Sequence, residues 1–345
     1  MRIPSLDGFR AFSILLVLLA HLSGTRHFVK SGLLEIYGNV GVRIFFVISG
    51  YLITTLLLKE QERTGKISLR DFYIRRAYRI LPAAYAFMLP IIVWHWRELS
   101  ATNIFAGITY TSNYLHDGNW ALGHLWSLSV EEQFYLLWPL AFLLLFPWRR
   151  GILLCAVLAG PPLRIIFWLL WGHRGLEHPF PVVMDALAVG CLLAILKPTA
   201  DRYAALLTSR WLLLAPVAVF LLPLLQFFSN RLYLTFGLTA LHFGIALSLE
   251  HGIRQRYALL SAAPVVWVGV MSYSLYLWQQ PFLNRHSENP WSSFPLNLAL
   301  AFLCACLSHY CVERPFLSLR DRHICLVQPR TDQPKMLERT LPKAG

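Results

Sequence analysis

The sequence predicts an all-α polytopic membrane protein with about ten transmembrane helices and both termini cytoplasmic. Composition is the first ground: 56% of the 345 residues are hydrophobic and only 14% are charged, where soluble domains carry about 25% charged residues. So few charges cannot cover a water-facing surface around that much apolar side chain. This excludes a soluble globular enzyme, a disordered chain and a collagen-like fibre. The second ground is that the apolar residues come in continuous runs instead of alternating, so the spanning elements are helices and not barrel strands. The third is where the positive charges fall.

Ten runs have the ~17–25 residues a helix needs to cross hydrocarbon. They lie near residues 9–25, 40–58, 80–96, 124–146, 152–171, 180–196, 211–228, 232–250, 263–283 and 295–312. The first starts so close to the N-terminus, with no small-residue cleavage pattern on its far flank, that it reads as a retained span. The third is the least regular, being interrupted by Pro82 and Pro90. Ten crossings put both ends on one side. That side collects 23 Lys and Arg: Arg2 and Arg10, seven from Lys59 to Arg79, Arg149 and Arg150, Lys197, Arg202 and Arg210, Arg254 and Arg256, and seven from Arg314 to Lys343. The other side has six, namely Arg26, Lys30, Arg97, Arg174, Arg231 and Arg285, while Arg43 and Arg164 fall within spans. The asymmetry is the positive-inside pattern, and it accounts for the net charge of +13 without nucleic acid.

Five of the six cysteines, Cys155, Cys191, Cys304, Cys306 and Cys311, sit in the runs, where they pack as small apolar residues. His95, His124, His173 and His178 are scattered near the predicted membrane faces, which fits loop or interfacial roles better than a ligand set. No Walker loop, dinucleotide glycine fingerprint or nucleophile elbow is present.

An ionisable side chain in hydrocarbon costs about 2.5–3.5 kcal/mol on insertion scales, so each one needs a reason. Arg10 and His21, eleven residues apart, share a helix face about 16 Å long. Read blandly, they are a snorkelling anchor and a hydrogen-bonded core histidine. Ser49 and Gly50 suit a close helix seam and need no catalytic role. In the basic stretch from Phe72 to Pro82, Arg76 and Arg79 fall on one face if the segment is helical, as do Arg75 and Arg79. Such forks suit a polyanion, either coenzyme phosphates or lipid head groups. Glu131 and Glu132 point about 100° apart, so at least one should meet a polar cavity or partner. Asp185 lies within the sixth run. His309 and Glu313 are one turn apart, and Arg314 is the bland ion-pair partner for Glu313.

In order, the segments are Leu6-Asp7-Gly8-Phe9-Arg10 with His21, Phe45 to Ile53, Tyr73 to Pro82, Trp126 to Pro139, Met271 to Trp278, and Glu313-Arg314-Pro315-Phe316. This series resembles the acyltransferase-3 family, the integral-membrane O-acyltransferases that modify bacterial cell-surface glycans and some secondary metabolites. The resemblance implies an acyltransferase membrane domain over residues 1–316 and a basic cytoplasmic tail over 317–345. It implies a multi-pass protein of the bacterial plasma membrane that moves an acyl group, usually acetyl, from acyl-coenzyme A to a hydroxyl of a carbohydrate or glycolipid acceptor. Arg10 and His21 look like the family's arginine and histidine, and Arg76 and Arg79 like its paired-arginine loop. Gln279 stands where many relatives carry a histidine, so it is given no proton-transfer role. The tail of about 29 residues is too short for the hydrolase-like domain of some relatives, so transfer is expected to be completed by the membrane domain or handed to another protein.

The expected chemistry has His21 as general base, with Glu131 or Glu313 orienting and charge-stabilising it. Arg10, Arg76 and Arg79 would hold the coenzyme phosphates, and no metal is required. The rival reading is a transporter or flippase of a glycan or lipid-linked substrate, since intramembrane charges also line transport paths.

Overall fold

The structure, a computed structural model, describes residues 3–115, 119–172 and 178–327. His173, Arg174 and residues 328–345 of the predicted tail lie outside the described residues. The described chain is helical, with one isolated bridge between Arg26 and Ser293 and no strand. Its long helices are α1 Pro4–Leu22, α2 Gly32–Thr64, α3 Leu69–Trp94, α4 Leu125–Leu144, α5 Arg149–Trp171, α6 Phe180–Ala200, α7 Leu238–Gln255, α8 Ala263–Phe282, α9 Leu296–Ser308 and α10 Arg314–Val327.

Seven helical stretches among the described residues are long and apolar enough to cross a membrane, fewer than the ten predicted runs. The difference has three sources. The seventh and eighth runs join into one 46-residue stretch, Arg210–Gln255, bent where Ser229 is extended (φ −157°, ψ 98°). The fourth run is α4, whose adjacent Glu131, Glu132 and Gln133 dilute its apolar character. The ninth is α8, apolar only over Ala263–Trp278 before Gln279 and Gln280.

The third run departs from expectation in a way that builds the site. Ser68 caps α3 by accepting from the Asp71 amide at 3.2 Å, so the helix begins well before the apolar stretch and takes in the basic segment. It continues through Pro82 and Pro90, as membrane helices tolerate where neighbours satisfy the freed carbonyls.

Helices α2 and α6 cross almost backbone to backbone. A Cβ on Gly50 would lie 2.1 Å from the Leu187 carbonyl oxygen, and one on Gly190 would lie 2.1 Å from that of Val47. Only hydrogen fits at either position, so the small-residue reading of Gly50 holds. Behind this crossing, α5, α6 and α7 enclose a polar cluster whose Arg164, Asp185 and His242 are fully buried. Arg164 pairs with Asp185 and also donates to the carbonyls of Val182 and Thr235, each at 2.9 Å, and to the Thr239 hydroxyl at 3.0 Å. Thr239 donates to Asp185 at 2.7 Å, and His242 Nδ1 stands 3.2 Å from the same carboxylate. The two charges that the sequence places in separate spans therefore neutralise each other. On the opposite face α5 exposes Leu154, Leu158, Ile166 and Leu169, a lipid-facing surface.

The bundle ends differ. At one, Glu60 pairs with Arg75 at 2.8 Å, Glu250 with Lys197 at 3.6 Å and Asp201 with Arg254 at 2.5 Å. At the other, Arg285 pairs with Glu35 at 2.7 Å and donates to the Ala20 carbonyl, while Phe294 donates to the Arg26 carbonyl.

Candidate active site

Two cavities lie among α1, α2, α4 and α8, the first also walled by α3 and the second by the segment between α3 and α4. The first, about 110 Å³, is lined by Arg10 from α1, Arg76 and Arg79 from α3, Ser49 from α2, and Glu131 and Tyr135 from α4. The early start of α3 is what brings Arg76 and Arg79 onto one wall, while Arg75 turns away to Glu60. The Arg76 guanidinium sits over the Tyr135 ring, 5.4 Å from its centroid, and 5.8 Å from that of Phe72. The α3 wall is tied to α8 by the Tyr273 hydroxyl, which donates to the Ile80 carbonyl at 2.9 Å.

Glu131 is the carboxylate of the pair that enters this cavity. Ser49 donates to one of its oxygens at 2.7 Å, and Tyr135 donates to the other at 3.3 Å. Arg10 and Arg76 lie within its electrostatic reach. Ser49 is thus both a small residue near the helix seam and the donor that fixes the carboxylate, a role its sequence context did not require. Glu313 lies close by, within electrostatic reach of Arg10 and Arg79. It accepts from Ser274 at 3.1 Å and pairs with His309 Nδ1 at 2.9 Å across the π-helical turn His309–Glu313. Arg314, the expected partner, instead stacks on Tyr310 at 5.3 Å.

The second cavity, about 700 Å³, is lined by His21, Glu35, Asn39, Trp120, His124, Trp126, His178, Gln280 and Arg285, among others. Trp126 and His178 pack here with ring centroids 4.3 Å apart and planes tilted by 39°. His178 precedes α6. Burial, with Arg43 as the next cause, pushes its imidazole down to about 4, so it is neutral at pH 7. The ring of His21 meets the edge of Trp120 at 5.6 Å, and its Nδ1 is 2.7 Å from Gln279 Oε1.

Arg10 and His21 therefore line different cavities, and these share two wall residues, Val42 and Tyr276. Tyr276 is held there by donating to the His124 carbonyl at 2.8 Å, with Ser127 Oγ 2.6 Å from its hydroxyl. The expected contact of Glu131 or Glu313 with His21 is not formed: Glu131 is bonded by Ser49 and Tyr135, Glu313 by Ser274 and His309, and the Gln279 amide takes the imidazole. Sequence reasoning passed over Gln279 and Tyr135. A signal for Gln279 existed, since two adjacent amides in an apolar run need partners as much as charges do.

Among the described residues no three His, Cys, Asp or Glu side chains form a metal-sized group. The acyltransferase-3 family model, described as an acyltransferase domain, matches residues 3–310. The chain belongs to the acyltransferase-3 family. This acyltransferase is 29% identical to the peptidoglycan O-acetyltransferase OatA of Listeria monocytogenes, over 91% of the chain and 55% of the relative. It is 30% identical to a candidate peptidoglycan O-acetyltransferase of Bacillus subtilis, over 91% of the chain and 54% of that protein. A candidate O-acetyltransferase of Staphylococcus aureus is also 30% identical, with 91% and 57% covered. The acyltransferase thus spans about half the length of the curated relatives it matches. No solved structure matches it.

Proposed function

We propose that this protein is an O-acetyltransferase of the bacterial plasma membrane that moves acetyl from acetyl-coenzyme A to a hydroxyl of a cell-envelope glycan. The reading rests on one observation: a cavity with three arginines and a cavity with an imidazole share the wall of Val42 and Tyr276. Guanidinium forks suit the phosphates of the donor, and an apolar lining suits the arm that carries the thioester. The larger, aromatic-lined chamber suits a sugar chain. The relatives named for peptidoglycan O-acetylation support the choice of acceptor.

In this scheme His21 takes the proton of the acceptor hydroxyl as its oxygen attacks the thioester carbonyl. The carbon–sulfur bond then breaks, the ester forms, and the imidazolium returns the proton to the departing thiolate. Arg10, Arg76 and Arg79 hold the donor. Glu131, fixed by Ser49 and Tyr135, keeps the arginines from repelling one another when the cavity is empty, and Glu313 does the same beside Arg79. No metal takes part. Ten crossings with both termini cytoplasmic place the arginines at the cytosolic face. The 23 Lys and Arg on that side against six on the other support that layout.

The test is His21→Ala in cells and in purified protein. Acetyl is expected to vanish from the surface glycan by mass spectrometry, and acceptor-dependent thiol release to stop, with the protein at normal abundance in the membrane. Full activity would remove His21 from the reaction, whereas substrate movement with no thiol release would favour a transporter.

A further inference from the structure

The hydrogen bond on His21 is the last link of a chain whose direction is set by one backbone carbonyl. The Trp120 carbonyl oxygen can only accept, and Gln280 Nε2 lies 2.6 Å from it. The Gln280 amide must therefore turn its oxygen the other way, where Gln279 Nε2 donates to it at 3.1 Å. Gln279 in turn presents Oε1 to the imidazole, 2.7 Å from Nδ1. Turning either amide over would set two oxygens or two NH2 groups face to face. The chain is locked at its far end as well, because the Trp120 indole donates to the Gln280 carbonyl at 3.0 Å.

A partner that can only accept requires Nδ1 to carry the hydrogen, which leaves the lone pair on Nε2 at the far side of the ring. We propose that Gln279 is the positioning residue of this acyltransferase: it fixes the tautomer and orientation of His21, and Gln280 and Trp120 fix Gln279. The inference rests on the reading of His21 as the base. An amide brings no counter-charge, so Gln279 acts by direction alone. Glu131 lines the other cavity, and Glu313 is bonded to Ser274 and His309.

The test uses purified full-length protein in detergent, acetyl-coenzyme A as donor, soluble glycan strands prepared from peptidoglycan as acceptor, and released thiol as the readout. Gln279→Met keeps the length and removes the acceptor. The expected result is a roughly 10- to 100-fold fall in kcat, a part of the ~10²–10⁴ that general acid–base catalysis supplies, with KM for both substrates within about twofold of wild type. Gln279→His keeps one acceptor and one donor and is expected to restore most of that loss, as a purely structural defect would not permit. Gln280→Met frees the amide without touching the ring and should lower kcat by less. If His21→Ala is inactive while Gln279→Met keeps wild-type kcat, or if its loss lies in KM or is not restored by Gln279→His, positioning by Gln279 is overturned and the base survives. An active His21→Ala overturns both.

Discussion

Replacing Asp185 by Ala tests how far the membrane interior depends on balanced charge. The carboxylate accepts from Arg164 and Thr239 and faces His242, and Arg164, Asp185 and His242 are fully buried. In the variant Arg164 Nε and Nη1 keep the Val182 and Thr235 carbonyls and the Thr239 hydroxyl, while Nη2 loses its acceptor and the charge loses its paired carboxylate. Breaking a buried pair from one side costs about 3–5 kcal/mol. An unfolding entropy of about 2.1 cal/mol/K per residue over 345 residues makes that a fall of about 4–7 °C in Tm. Asp185→Asn, which keeps an acceptor oxygen, should lose less. The double variant Arg164→Met with Asp185→Leu should return to wild type or above, because no charge is then stranded. Thermal unfolding in one detergent, with membrane abundance measured alongside, reads all three. An Asp185→Ala protein within 1 °C of wild type, or a double variant as impaired as the single, would refute the reasoning.

Removing Arg76 and Arg79 together should raise the acetyl-coenzyme A concentration for half-saturation by roughly 10- to 100-fold per lost contact, from the ~1.5–3 kcal/mol of a charge-assisted hydrogen bond; steady-state kinetics with varied donor checks it. Gly50→Ala puts a methyl against the Leu187 carbonyl at a crossing with no slack, so a loss of at least ~1–3 kcal/mol and a lower folded yield are expected in detergent unfolding. His178 gives a pH signature. The unfolded chain protonates it near its ordinary 6.5, but the folded one holds it neutral to about 4. Stability contributed by this site is therefore full above about pH 6.5 and falls by up to about 3 kcal/mol as pH drops toward 4. His178→Phe keeps a ring on Trp126, and its Tm should fall less than wild type's between pH 7 and pH 5.

The sequence made the helical class legible because hydrocarbon leaves few alternatives for the backbone, and it marked Arg76 and Arg79 as candidates because their three-residue spacing puts two guanidinium groups on one helix face. It did not disclose pairing. Arg164 and Asp185 are far apart in the chain and meet only because α5 and α6 pack together. The carboxylates at 131 and 313 are near His21 in chemical sense but not in space, and helical periodicity along α1 cannot say that Arg10 and His21 face separate chambers. A count by length and apolarity falls to seven among the described residues for a related reason: α4 and α8 carry polar residues that make them less apolar, and the seventh and eighth runs, which the sequence separates at the Ser229 bend, join into one helical stretch.

The partition of Val42 and Tyr276 has an electrical meaning. If both chambers fill with water within the membrane, the potential across the bilayer would fall over this thin layer, where every elementary charge carried through feels about 2.3 kcal/mol per 100 mV. In the proposed reaction an acetyl group, being neutral, would cross at no electrical cost, while the donor's phosphates would stay with the arginines. Such an insulator would let the enzyme work from one face of an energised membrane to the other without discharging it.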